Sequence, residues 1–182
     1  MRRICWPAVC IALLAAFAVS PGAKLEPAAE FVHEDAKGKL AIIGNVAVAL
    51  SGDDEFLARI TEDVIAISLL ARGIKVVYPE QAWFGKPRDT KGRGPVDLAR
   101  AAGANVLVTG TLVSEPPERG GCDGKRDCPG RCRSSKLAIA SLSVVDIPFD
   151  KTLVWALYEP ENPVSASALG RAFVERAAAA LK

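Results

Sequence analysis

The spacing of apolar positions along the chain predicts alternating strands and helices. Short apolar runs rich in β-branched residues predict strands, and the near-continuous first run is typical of a strand that is covered on both faces. The predicted strands span residues 40–50, 74–78, 105–113, 137–145 and 152–158. Apolar residues three and four positions apart predict two helices, one after residues 51–54 and one from Ser167 to Leu181. A third, short helix is predicted from Pro95, at its first position, to Gly103 just after its end.

The first helix has the clearest local signals. Ser51 and Asp54 have the spacing of a capping box at its start, and Gly73 is placed to form a left-handed cap after its end. The residues expected to face the sheet are Phe56, Ile60, Val64, Ile67 and Leu70, and those expected on the solvent side are Arg59, Glu62 and Asp63. A similar stripe in the last helix consists of Leu169, Phe173, Ala177 and Leu181.

The predicted order is β-α-β-α-β-β-β-α. Early strands are separated by helices, and residues 146–151 join the last two predicted strands as a hairpin connection. This order predicts an α/β (α+β) fold with a single mixed sheet and helices packed on it.

The N-terminal residues 1–23 have the layout of a secretory signal peptide. Arg2 and Arg3 precede an apolar run from Ala8 to about Val19, and Ala16 and Ala18 occupy the positions that a signal peptidase reads. A membrane-spanning helix is the alternative, but such a helix needs about 20 apolar residues. We therefore expect cleavage, a flexible lead-in over residues 24–38, and one domain over residues 39–182.

Composition argues against several functional classes. The chain has 23 Lys and Arg against 21 Asp and Glu. Arg2 and Arg3 leave with the signal, so the mature chain is neutral, which argues against nucleic acid as a partner. His33 is the sole histidine, which disfavours triads and histidine-rich metal sites. We expect a protein that is not an enzyme and has no cofactor, no catalytic residue and no metal ligand.

The polar segment 115–136 contains the only cysteines of the mature chain: Cys122, Cys128 and Cys132. In an exported protein they predict one intrachain disulfide and one leftover thiol, with connectivity left open. A metal site would need a fourth ligand such as His33 or Asp123, and the usual Cys-x-x-Cys spacing is absent. Residues 121–125 lack the sequence of a phosphate-binding loop.

Four short segments resemble a family of bacterial periplasmic domains, the CsgG/LpoB-like class, and the similar N-terminal domain of TolB. They are Gly103–Asn105, Val108–Thr111, Val144–Asp146 and Leu153–Trp155. The resemblance covers roughly residues 38–182 and implies a domain that binds proteins, often at the outer membrane. The chain departs from the family at three places: the lipobox is missing, residues 43–46 replace the usual strand ending, and segment 115–136 is rich in cysteine.

These observations lead to a functional hypothesis with two alternatives. We expect a periplasmic adaptor or accessory protein of a Gram-negative-type envelope, with possible peripheral association with the outer membrane. It would bind an envelope protein complex in assembly, secretion or regulation of a cell-wall synthase. One alternative is a disulfide- or metal-dependent thiol protein acting through Cys122, Cys128 and Cys132. The other is a subunit of a curli-type secretion assembly.

Overall fold

The computed structural model describes residues 25–77, 93–116 and 136–182. In these residues seven strands form one open mixed sheet, and three α-helices pack against it. The strands are β1 (Ala29–Val32), β2 (Val46–Gly52), β3 (Val76–Val77), β4 (Val106–Ser114), β5 (Lys136–Asp146), β6 (Lys151–Tyr158) and β7 (Val164–Ser165). The helices are α1 (Glu55–Leu70), α2 (Pro95–Ala101) and α3 (Ala166–Ala180), with short 3-10 helices at Glu34–Ala36 and Lys39–Ile42. The predicted fold class is confirmed.

Strand direction follows from the connections. The order across the sheet is β1-β6-β5-β4-β2-β3, and β7 pairs with the start of β5. Strand β2 is parallel to β3 and β4, because a helical segment separates these strands in sequence. The other pairs are antiparallel, including the β5–β6 hairpin.

Two strands were not predicted, and one predicted strand begins later than expected. Strand β1 lies inside residues 24–38, where four strand residues give too short a pattern to recognise. Strand β7 has only two residues. The predicted strand from residue 40 was wrong at its start, because residues Lys39–Ile42 form a 3-10 helix and β2 begins at Val46.

Helices α1 and α3 cover one face of the sheet. The predicted α3 stripe is confirmed, since Leu169, Phe173, Ala177 and Leu181 are all buried. The two helices approach closely at Gly170, where an added Cβ would lie 2.8 Å from Cγ1 of Val64. A glycine is therefore required for this contact.

Helix α2 covers part of the other face. Ala47 and Ala49 of β2 form a second apolar cluster with Ala99 of α2 and with Leu107 and Ile147. Because the alternate residues of β2 lie in the main core, the prediction that this strand is covered on both faces is confirmed.

The predicted orientation of α1 was wrong. Its buried residues include Leu57, Ile65 and Leu69, whereas Ile67 and Leu70 are each more than half exposed. Apolar residues lie on both sides of this helix, so spacing alone could not decide which side faces the sheet. Phe56 is exposed as well, while Ile60 and Val64 are half-buried.

The start of α1 also differs from the prediction. The N-cap is Asp54 rather than Ser51, and its carboxylate accepts hydrogen bonds from the Phe56 and Leu57 N–H groups. At the other end, Gly73 has φ +77°, which confirms the predicted left-handed cap.

Glu62 is buried, although the sequence predicts it on the solvent side of α1. Its carboxylate accepts a 2.6 Å hydrogen bond from the Leu50 N–H of β2. Among the described residues, β3 pairs with Val46 and Ala47 of β2, and Glu62 provides a hydrogen-bond acceptor for the Leu50 N–H further along β2. Satisfying a buried N–H in this way avoids a desolvation penalty of about 1–3 kcal/mol.

Candidate interaction site

Strand β1 forms one edge of the sheet, beside β6, and carries exposed apolar side chains. Among the strands that the structure describes, β1 pairs with β6 alone. Phe31 is 49% exposed and Val32 is 39% exposed. An edge strand carries backbone N–H and C=O groups that can pair with another chain. The apolar side chains beside them make this edge a candidate protein-binding site.

Phe31 is opposite a hydrogen-bonded tryptophan on the neighbouring strand. It is the register partner of Trp155 on β6, and Trp155 Nε1 donates a 2.9 Å hydrogen bond to Oγ of Ser141 on β5. The Phe31 and His33 rings meet edge to face at a centroid distance of 6.2 Å. Trp155 is half-buried, so this part of β6 is fixed to the sheet beside Phe31.

An ion pair attaches β1 to α3. Arg176 donates hydrogen bonds to Oε2 of Glu30 from Nε, at 2.7 Å, and from Nη2. The hydrogen bond to Glu30 raises the pKa of Arg176. Because Glu30 alternates with Phe31 along the strand, this contact lies on the face opposite Phe31. It holds β1 against the helical layer.

A second ion pair lies just beyond the other end of β1. Lys151 Nζ donates a 2.9 Å hydrogen bond to Oδ2 of Asp35, which lowers the pKa of Asp35 and raises the pKa of Lys151. His33 Nδ1 accepts a 3.1 Å hydrogen bond from the Asp35 N–H and so caps the 3-10 helix. The edge is therefore anchored on both sides of Phe31 and Val32.

The hydroxyl of Tyr158 is buried under this region and has no hydrogen-bond partner among the described residues. Burial, reinforced by the charge of Glu30, raises the pKa of Tyr158 to about 12. The phenol therefore stays neutral at physiological pH.

A small apolar cleft lies between the end of α3, the end of α1 and the sheet. Its enclosed volume is about 20 Å³. Its lining is apolar throughout and includes Leu40, Leu69, Val106 and Phe173. Catalytic and ligand pockets place a few polar groups among apolar ones to orient a substrate, and this cleft has none.

The segment Gly103–Asn105, one of the four that carry the sequence resemblance, has a structural role. Asn105 Oδ1 accepts a 3.3 Å hydrogen bond from the Asn45 N–H, and Asn45 Nδ2 donates a 3.0 Å bond to the carbonyl of Gly103. The Asn105 N–H donates a 2.8 Å bond to the Asn45 carbonyl. These bonds join the starts of β2 and β4 and bring no reactive group together.

The predicted disulfide residues Cys122, Cys128 and Cys132 lie outside the described residues, as does Asp123, so the disulfide stays a prediction. In residues 25–77, 93–116 and 136–182, no three His, Cys, Asp or Glu side chains are grouped to hold a metal ion.

Within the same ranges, no helix has the length and apolar character needed to cross a membrane.

Asp53 ties the end of β4 to the β2–α1 turn. Its carboxylate accepts hydrogen bonds from the Ser114 N–H at 2.8 Å, the Ser114 hydroxyl at 2.9 Å and the Asp54 N–H at 3.0 Å. Desolvation opposes ionisation, but the hydrogen bonds from Ser114 outweigh it and lower the pKa of Asp53 from 3.8. The folded state therefore favours the ionised carboxylate.

The Asp53→Asn substitution is expected to lower stability in a pH-dependent manner. A depressed folded pKa stabilises the protein above the unfolded pKa, and this contribution is lost as pH falls through the folded value. The variant should be less stable by at most about 1 kcal/mol at pH 7, since the group is exposed and screened. Urea unfolding at pH 7 and pH 3 should show this difference shrinking at the lower pH. An equal difference at both pH values would contradict the assignment.

Comparison with known proteins finds a low similarity in architecture alone. No family model and no curated protein matches it. Three solved structures are similar: a PelC dodecamer from Paraburkholderia phytofirmans, TolB from Acinetobacter baumannii and lipoprotein GNA1162 from Neisseria meningitidis.

The similarity to each structure is low. For PelC the identity is 12%, the TM-score is 0.48, and the match covers 84% of this chain and 94% of PelC. For TolB the identity is 14%, the TM-score is 0.43, and the match covers 77% of this chain and 28% of TolB. For GNA1162 the identity is 17%, the TM-score is 0.41, and the match covers 76% of this chain and 99% of GNA1162. TolB was also named by the sequence resemblance, whereas membership of the CsgG/LpoB-like class stays a prediction.

Proposed function

We propose that this protein is an exported, non-enzymatic adaptor that binds an envelope protein through the free edge of β1. The observation that carries the proposal is the exposure of Phe31 and Val32 on an edge strand anchored at Glu30 and Asp35. Apolar side chains are usually kept away from exposed strand edges, where charge prevents unwanted pairing.

The proposed mode of binding is strand addition. An extended segment of the partner would lie beside β1 and pair with its outward backbone groups, which provides affinity. Phe31 and Val32 point to opposite faces of the sheet, so side chains at alternate positions of the segment would contact one or the other. This alternation provides specificity.

The anchoring of β1 reduces the entropic penalty of binding. A strand that ordered only on binding would lose about 1–2 kcal/mol of backbone entropy per residue at that moment. Because Arg176 and Lys151 already hold the segment around β1, most of this penalty is met during folding. A preorganised edge therefore binds more tightly than a flexible one.

The proposed compartment is the periplasm of a Gram-negative-type envelope, and it depends on residues 1–23 acting as a cleaved signal. Association with the outer membrane would then be peripheral and would occur through the bound partner. N-terminal sequencing of the protein from its host should find a start between about residue 19 and residue 24, after the apolar run. Stable cytoplasmic protein that retains Met1 would contradict export.

Site-specific cross-linking tests the binding edge. A photoreactive amino acid is placed at position 31 in the host, with position 149 as the matched control, since Phe149 is 66% exposed in the turn between β5 and β6. We expect a discrete cross-linked envelope protein from position 31 and none from position 149.

A second variant shows whether the cross-link requires the edge. With the photoreactive residue at position 32, the added Phe31→Asp substitution should abolish the product, whereas Phe149→Asp should leave it intact. Cross-links that arise equally from position 149, or that persist with Phe31→Asp, would contradict binding at β1.

A further inference from the structure

The outward side of α1 is apolar, although it is the side furthest from the core. Phe56, Ile67 and Leu70 are each more than half exposed, whereas Ile60, at the margin of this side, is half-buried and also packs against the main core. The opposite side of the helix is buried against the sheet and α3. Large apolar side chains exposed together on one surface often mark an interaction site, so the outer side of α1 has the character of an interface.

The spacing along this outer side is that of a helix that pairs with another helix. Positions 56, 60, 63, 67 and 70 follow one another at intervals of four, three, four and three residues. This is the spacing of the heptad seam along which two helices pack. Ile60 and Ile67 share one seam position, and Phe56, Asp63 and Leu70 share the other.

Charge along the seam distinguishes between possible occupants. Asp63 is exposed in the middle of the seam, and Arg59, which bonds Glu55 at 2.8 Å in its own helix, lies one turn before it. Arg72 is exposed in the turn just after the helix, so two acids and two bases lie on or near its outer side. A helix that binds an anionic membrane surface is instead rich in Lys and Arg.

We propose that the outer side of α1 is a self-association surface that pairs with α1 of a second copy in antiparallel orientation. A two-fold axis between Arg59 and Asp63 would place Asp63 of each copy beside Arg59 of the other. The same axis places Phe56 of each copy opposite Ala66 and next to Ile67 of the other. A parallel pair would instead place the two Asp63 carboxylates together, which is unfavourable.

The size of α1 indicates a reversible dimer. A 16-residue helix is about 24 Å long, and two such helices bury less surface than a standard stable interface of roughly 1,600 Å². The two-fold pairing closes on itself, so it yields dimers rather than filaments. Strand β1 is at one edge of the sheet, whereas β2, the strand that precedes α1, is next to the other edge. A dimer formed through α1 would therefore carry two separate β1 edges.

Sedimentation equilibrium over a concentration series tests this proposal. The processed protein is studied with a reducing agent present, so that a disulfide between copies does not contribute. We expect a monomer–dimer equilibrium whose Kd rises by at least about tenfold with Ile67→Asp, because a charge then lies in the apolar seam. Phe149→Asp, a change at an equally exposed aromatic outside α1, should leave the Kd unchanged.

Thermal unfolding and vesicle flotation complete the test. Ile67→Asp should retain the melting temperature of the parent in dilute solution, since Ile67 is exposed. A protein that is monomeric at every concentration, or a dimer that Ile67→Asp does not weaken, would overturn the proposal. Flotation with vesicles of phosphatidylethanolamine and phosphatidylglycerol that is lost with Ile67→Asp would also overturn it, by identifying a lipid surface as the occupant.

Discussion

Gly110→Ala is expected to lower the free energy of unfolding by about 3 kcal/mol, because the sheet has no room for a side chain there. A Cβ at residue 110 would lie 2.1 Å from the backbone oxygen of Ser141 and 3.0 Å from Cα of Leu142. Both are backbone atoms of β5, so the two strands would have to separate. For a domain of this size the melting temperature should fall by about 6–12 °C.

Gly94→Ala is the matched control for this prediction. A Cβ there would meet only Oδ2 of Asp97, at 4.0 Å, and Gly94 is the N-cap of α2. Loss of a glycine at an N-cap is expected to change stability by less than about 1 kcal/mol. Equal melting temperatures for Gly110→Ala and the parent would show that β4 and β5 are not in the register described.

A pair of substitutions on α1 is expected to separate its buried side from its outer side. Ile65 is fully buried in the main core, so Ile65→Ala should lower the free energy of unfolding by about 2–5 kcal/mol through transfer loss and a cavity. Ile67 is exposed, and Ile67→Ala should change it by no more than about 0.5 kcal/mol.

The two variants should be compared by urea unfolding in dilute solution, where self-association contributes least to stability. Both substitutions remove the same atoms from the same helix, so helix propensity cancels in the comparison. A larger effect at Ile67 than at Ile65 would restore the orientation expected from the sequence and contradict the structure.

The strand and helix order was predictable because each long element has a strong local pattern. The apolar run of β2 is covered on both faces, the hairpin connection between β5 and β6 is short, and Gly73 and Gly103 both have positive φ after a helix. These signals depend on neighbours in sequence.

The orientation of α1 was not predictable from the same kind of pattern. Its outer side carries large apolar residues, whereas Ala58 and Ala66 are among the residues that face the core. Small residues permit close packing but contribute little to an apolar stripe, so the stripe with larger side chains was assigned to the core. The buried Glu62 could not be recognised either, because its partner, the Leu50 N–H, is a backbone group.

The candidate site was missed for a related reason. Strand β1 has four residues, Ala29–Val32, and its position depends on β6, which lies more than a hundred residues away in sequence. Its anchors at Arg176 and Lys151 are equally distant. The one sequence signal was the pair Phe31–Val32 within an otherwise polar segment, which could have indicated a short strand.

The central claim, that this protein binds its partner by extending the sheet at β1, is tested most directly by amide hydrogen exchange. Exchange should be measured for the processed protein alone and with the envelope protein identified by cross-linking. Backbone pairing predicts that amides within residues 29–32 become strongly protected on binding, and that those of α2 stay unchanged. Unchanged exchange at β1 in a saturated complex, with protection elsewhere, would contradict the claim.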